Sequence, residues 1–139
     1  MAKKVRDAMT ENPVKCSSSA KAIDAAKHMA ERDIGAVLVE DGAKLMGIVT
    51  DRDIVIRAVA QGRDPARTPL SEICTPGTIT MSPEDDLDKA VEIMREKAVR
   101  RVPVVDGSQC VGILSLGDLA REKDPRSALG QISAAPPQQ

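Results

Sequence analysis

Gly47-Ile48-Val49-Thr50-Asp51-Arg52-Asp53-Ile54 decides how the rest of this chain is read, because it occurs twice. Sixty-five residues further on stands Gly112-Ile113-Leu114-Ser115-Leu116-Gly117-Asp118-Leu119. The same offset pairs Asp41-Gly42 with Asp106-Gly107, Val37 with Val102, Met29 with Met94, Ala25 with Ala90, Ser17 with Ser82 and Thr10 with Thr75. No gap is needed between Val5 and Arg121. A unit of about fifty residues buries too little apolar surface to be stable alone, so the two copies are expected to share a core. A pocket built by one copy is then expected in the other.

Composition narrows the chemistry. Of 139 residues, 42% are hydrophobic, which suits a folded globule. Phe, Tyr and Trp are absent, so a bound ring would lie between aliphatic and methionine side chains. Twenty basic residues nearly balance 21 acidic ones, for a net charge of −1, which gives no general attraction to nucleic acid. Cys16, Cys74 and Cys110 stand far apart without a CxxC, and His28 is the single histidine. That set indicates neither a metal site nor a disulfide framework. No signal peptide begins the chain and no apolar run spans a bilayer, so a cytoplasmic protein without a membrane partner is expected.

Each copy reads as an extended segment, a helix, two strands and a second helix. In the first, Val5 to Met9 leads into extended Val14-Lys15-Cys16, and the serines at 17 to 19 offer a helix cap. Ala22, Ile23, Ala25, Ala26, Met29 and Ala30 recur at helical spacing as far as Arg32. Ala36 to Val39 and Leu45 to Val49 are strands about the Asp41-Gly42 turn, and Asp51 to Gln61 is the second helix. In the second copy Ile79 to Met81 is extended, and Ser82-Pro83-Glu84-Asp85 reads as a helix start with an inner face of Leu87, Ala90, Val91 and Met94. Arg101 to Val105 and Cys110 to Leu114 are strands, and Leu116 to Glu122 is a helix. Domain boundaries are expected at residues 1–62 and 70–123. Residues 63–69, which follow Gly62 and contain Pro65 and Pro69, read as a linker, and residues 124–139 as a disordered tail.

This order, with Gly-Ile-Val-Thr-Asp-Arg-Asp in one copy and Arg-Arg-Val-Pro-Val-Val-Asp-Gly before Gly-Ile-Leu-Ser-Leu-Gly-Asp-Leu in the other, resembles the cystathionine β-synthase (CBS) domain. Two in tandem resemble a Bateman module, over about Val5 to Lys123, and specifically the stand-alone two-domain proteins of the hypoxic response protein type. The resemblance implies an α+β fold: each domain is a small mixed sheet with two packed helices, and the two are related by a pseudo-twofold axis. It further implies a regulatory or sensing role. An adenosine-containing ligand (AMP, ADP, ATP or S-adenosylmethionine) would sit in clefts between the domains, and modules would pair as a homodimer. No cofactor is required by this reading, and an unidentified protein target is the remaining partner class.

Candidate site residues follow at two levels. Read alone, Thr50 and Asp53, like Ser115 and Asp118, form a capping box at a strand-to-helix corner. A helix start also favours an anion, and a carboxylate there can accept bonds from vicinal hydroxyls. In similar CBS domains the hydroxyl residue helps bind ribose or phosphate and the Asp grips the ribose. Carried over, Thr50 and Asp53 serve one site, Ser115 and Asp118 the other.

Arg100 and Arg101 read alone as solvated charges at a strand end, but their counterparts in similar domains bind phosphate. The first copy has Gly35-Ala36 at that place, leaving Arg52 as the substitute. Val14 and Ile79, with Val37, Val102, Ile48 and Ile113, occupy strand positions that could line an adenine slot, although most such residues are core. His28 falls on Ile93 of the second copy and reads as a partly exposed helix residue or a contact across a dimer, with a metal site between chains, shared with a cysteine, as the remaining alternative. No nucleophile–base pair is present, so an enzyme is not expected. The alternative is a ligand-free stress-response or interaction module whose motif residues only cap helices.

Overall fold

The computed structural model describes residues 3–76 and 79–123; the expected tail, 124–139, lies outside them. The chain passes between two compact units, after Asn12 and again before Ile79. The inserted unit begins at Pro13 and the split unit combines the chain up to Asn12 with the chain from Ile79 onward. These cuts differ from the sequence ranges 1–62 and 70–123, and the reason is visible in the sheets.

In the inserted unit the strands run β2 (Lys15–Ser17), β3 (Ala36–Asp41), β4 (Lys44–Thr50) and β5 (Thr75–Pro76), in that spatial order. β2 lies parallel to β3, and the other pairs are antiparallel. Helix α2 (Ala22–Arg32) packs on this sheet. A short helix, α3 (Asp51–Ile54), continues through Val55–Val59 in π geometry.

The split unit repeats the arrangement from a different stretch of chain. Its sheet is β1 (Thr10–Glu11), β7 (Gln109–Ser115) and β6 (Arg101–Asp106), all antiparallel. Met81 adds a single parallel bridge to Val104. Helices α1 (Val5–Ala8), α4 (Leu87–Lys97) and α5 (Leu116–Lys123) complete it.

Both units place equivalent residues alike. The hairpins turn at Gly42 and Gly107, each at positive φ (66° and 65°), a backbone that glycine adopts without a Cβ penalty. Both carry a register shift shortly before the turn, between Val39 and Glu40 and between Val104 and Val105. Both long helices end on a left-handed residue, Asp33 and Ala98, each at φ 53°.

The leading segment of each repeat completes the other repeat's sheet. β5 of the second repeat pairs with Gly47 and Ile48, and β1 of the first pairs with Gly112 and Ile113. The glycine of the duplicated motif makes this crossing fit. A Cβ on Gly47 would stand 2.2 Å from the Thr75 carbonyl oxygen, and one on Gly112 would stand 2.8 Å from that of Thr10.

The exchange also corrects the expectation of one shared core. Each unit closes its own buried cluster, because the crossing segment brings apolar side chains with it. Leu70, Ile73 and Cys74 join Val37, Val39 and Val49 in the inserted unit. Val5 and Ala8 join Val102, Val104 and Leu114 in the split unit. Full burial of one such Val or Leu contributes about 1.5–3 kcal/mol.

Other sequence expectations shift for the same reason. Residues 63–69 are no free linker: Thr68 is buried, and the Thr68 and Pro65 carbonyls accept from the Ala22 and Ile23 N–H groups. Those bonds satisfy the first turn of α2, so the helix starts at Ala22 and not from a serine cap. Its Asp24 carboxylate accepts from the Lys21 N–H at 2.9 Å. Likewise Ser82–Asp85 closes a turn of its own, the Ser82 N–H donating to Asp85 Oδ2. The helix then begins at Leu87, whose N–H donates to the Lys3 carbonyl. Ala30, expected on the inner face of α2, is exposed. The second helix of the first repeat ends at Val59 and not Gln61. Gly62, at φ 73°, and the bond from the Arg63 N–H to the Ala58 carbonyl close it early.

Candidate functional site

Two corners, one in each unit, gather the candidate residues. In the inserted unit, β4 ends at Thr50 and α3 begins at Asp51. Asp53 accepts from the Thr50 N–H at 2.8 Å, and the Asp53 N–H donates back to Thr50 Oγ1 at 3.1 Å. In the split unit, β7 ends at Ser115. The Ser115 N–H donates to Asp118 Oδ2 at 2.9 Å, and the Asp118 N–H to Ser115 Oγ at 3.1 Å. The hydroxyl and the carboxylate are thus fixed together, in nearly the same geometry, twice. Each box satisfies donors that a helix start leaves free.

The flanks of the two corners differ. Arg101 stands opposite Ser115 in the β6–β7 register, and the Arg100 carbonyl accepts from the Leu116 N–H. Arg100 is exposed and Arg101 partly so; the pair, Ser115 and Asp118 therefore come to one end of one hairpin. In the inserted unit Ala36 takes the matching place opposite Thr50, and the Gly35 carbonyl accepts from Asp51. The missing basic pair is thus a structural fact of that corner, and Arg52 is exposed on the first turn of α3.

Val14, half-buried beside β2, accepts from the Leu38 N–H, and Ile79 is half-buried two residues before the Met81 bridge. Val37 and Val102 are core residues with no exposure. His28 is half-buried on α2. Among the described residues, no three His, Cys, Asp or Glu side chains are placed to hold a metal ion. Burial pushes the Cys16 and Cys74 thiols up from their ordinary range.

Two further charges bear on the corners, and the sequence reading passed over both. Arg57, one turn beyond Asp53, has Nε 3.8 Å from Asp53 Oδ1 and also donates to the Ile73 and Cys74 carbonyls. Arg121, three residues beyond Asp118, places its guanidinium directly on Asp118 Oδ1. Spacings of three and four on a helix are the signal that could have found them. Asp118 is 4% exposed, a buried carboxylate held by the Ser115 N–H and by Arg121 of α5.

A duplicated β-hairpin with a capped corner, completed by its partner repeat's leading strand, defines a tandem α+β fold. The CBS domain family model matches residues 5–59 and 70–124, and the chain belongs to that family. It is 39% identical to the CBS domain-containing protein YhcV of Bacillus subtilis, over 93% of this chain and 94% of that one. It is 37% identical to hypoxic response protein 1 of Mycobacterium tuberculosis, over 80% and 78%.

Among solved structures, hypoxic response protein I with two coordinated zinc ions superposes with a TM-score of 0.75 at 34% identity, covering 85% of this chain and 97% of that one. The CBS domain pair of protein MJ0100, in complex with 5′-methylthioadenosine and S-adenosyl-L-methionine, superposes with a TM-score of 0.80 at 27% identity, over 91% and 100%. Among the described residues no helix is long and apolar enough to cross a membrane.

Proposed function

We propose that this chain is a regulatory module, not an enzyme, that binds an adenosine-containing ligand at its strand-to-helix corners. One observation carries the reading: the hydroxyl–carboxylate corner is built twice with the same pair of hydrogen bonds. A carboxylate accepts at about four lone-pair positions, so one oxygen can hold the cap while the other accepts from a ribose hydroxyl. Arg100 and Arg101 are the phosphate-facing candidates at the Ser115–Asp118 corner, with Arg52 their counterpart at Thr50–Asp53. Val14 and Ile79 supply apolar atoms for the base. The complex of the MJ0100 domain pair with adenosyl compounds supports the ligand class. Exposed Val55, Ile56 and Val59 on one helix support self-association as a homodimer.

Calorimetric titration with AMP, ATP and S-adenosylmethionine tests this reading. Asp118→Ala is expected to weaken binding by about 1–3 kcal/mol, the cost of losing a charged hydrogen bond. Silence from all three compounds, in both heat and thermal shift, removes the proposal.

A second reading has its own support, since every carboxylate at the corners already has a protein partner. The chain would then be a ligand-free stress-response or interaction module. On that reading Asp53→Ala and Asp118→Ala lower stability and change nothing else.

A further inference from the structure

The leading segment lies in the split unit as a bound peptide would. Val5 is fully buried and Ala8 nearly so, in one cluster with Val102, Val104 and Leu114. The Val5 and Arg6 N–H groups donate to the Asp85 and Pro83 carbonyls, and the Lys3 carbonyl accepts from Leu87. Thr10 and Glu11 pair with β7, where Met9 and the Thr10 carbonyl close over Gly112. Lys3, Lys4 and Arg6 meet Glu122, Asp86 and Glu84, which fixes the register. The seat therefore reads a basic segment with a valine inside it.

The segment leaves this seat at Asn12, beyond which the chain belongs to the inserted unit. Asn12 is exposed and left-handed, at φ 53°. The next residue is Pro13, and a proline drives the residue before it toward extended backbone. The seated arm thus holds its hinge against the hinge's own preference. Extending Asn12 removes that conflict and lifts the arm away, and the same contacts are open to it on a second copy. Between closed and exchanged arms the contacts cancel, so the hinge and the protein concentration decide.

We propose that residues 3–11 are an exchangeable arm, seated on the split unit of a second copy of this chain while that copy's arm is seated in return. Asn12 and Pro13 are the hinge. The occupant is a second copy because the seat already fits this chain's own segment, charge for charge. No ligand enters the proposal. It also differs from self-association through Val55, Ile56 and Val59, which leaves each arm on its own split unit. Exchange is favoured in concentrated protein and reverses on dilution.

The experiment mixes full-length chain made in heavy and in light nitrogen, unfolds the mixture in urea and refolds it at high concentration. A carbodiimide then joins paired ammonium and carboxylate groups as amides. Mass spectrometry of the digest reads whether each Lys3–Glu122 and Lys4–Asp86 peptide carries one isotope or two. Mixed-isotope peptides are expected, in a share that falls when the protein is equilibrated dilute before cross-linking. Asn12→Gly removes the left-handed penalty and is expected to lower that share by about three- to tenfold, and Asn12→Val to raise it by about as much. Pro13→Ala should act like Asn12→Gly, which guards against a fold defect special to one variant. Same-isotope peptides alone, in wild type and in Asn12→Val, overturn the exchange even where the chain is dimeric. Mixed peptides in equal share in all four proteins mean copies that touch with closed arms, and overturn it too.

Discussion

Ala98 holds a conformation that its side chain disfavours. It ends α4 at φ 53°, where Asp33 ends α2 at the same angle, and for most L-residues that region costs roughly 1–2 kcal/mol. Glycine removes the penalty at a helix end. Ala98→Gly is therefore expected to stabilise the protein by about 0.5–1 kcal/mol, seen as a raised midpoint in urea denaturation. A lowered midpoint would mean that the Ala98 methyl makes contacts outweighing the strain. The corner residues argue in the opposite direction. Thr50→Ala removes the acceptor of the Asp53 N–H and is expected to cost about 1 kcal/mol, whether or not a ligand binds. Stability measured without ligand thus isolates the capping role from any binding role.

At the scale of elements, the crossing strands are the sensitive feature. Gly47 faces the Thr75 carbonyl so closely that any Cβ must push β5 aside, and a backbone carbonyl cannot swing away as a side chain can. Gly47→Ala is expected to destabilise by about 1–3 kcal/mol, the usual range for overpacking. Gly112→Ala should cost less. Its nearest obstacle is the Met9 sulfur, at the end of a flexible side chain, although the Thr10 carbonyl at 2.8 Å is not far behind. Denaturation of the two variants side by side checks the order. Equal costs would show that Met9 cannot give way. The hairpins and both long helices were legible from alternation and from 3.6-residue spacing. The starts of α2 and α4 were not, because their free N–H groups are satisfied by carbonyls distant in sequence and not by the nearby serines.

At the scale of the molecule, the chain's first described residues are structural parts of the split unit. Val5 is fully buried there, and Lys3, Lys4 and Arg6 pair with Glu122, Asp86 and Glu84. Those pairs are exposed and individually weak, so the apolar contacts carry the docking. Deleting residues 1–11 is expected to unfold the split unit while the inserted unit keeps its fold, read as selective loss of dispersed amide resonances. Survival of the Leu114 and Val104 signals would refute the arm's role.

The arm's charges also give a pH dependence. The Lys4 hydrogen bond holds the Asp86 carboxyl below its ordinary value of 3.8. Its contribution is thus present above that pH and is lost as acid protonates the folded form. The Glu122 bond raises Lys3, and the Asp86 bond raises Lys4, above 10.5. Their contribution is complete below that pH and disappears as alkali removes the proton. The protection of the α1 amides, taken relative to their intrinsic exchange rate at each pH, should accordingly be greatest between the two limits.

The sequence by itself determined the duplication, the element order, the turn glycines and the corner residues, because periodicity, turn chemistry and capping are local properties. It placed Thr50 with Asp53 and Ser115 with Asp118 since three residues on a helix start are neighbours in any fold. Only the tertiary structure decided which stretch completes which sheet. The bonds of Leu87 to Lys3 and of Ala22 to Thr68 span most of a repeat or more, and no local pattern announces them. The same holds for the motif glycines, whose need for space comes from a strand that the chain supplies from the other copy.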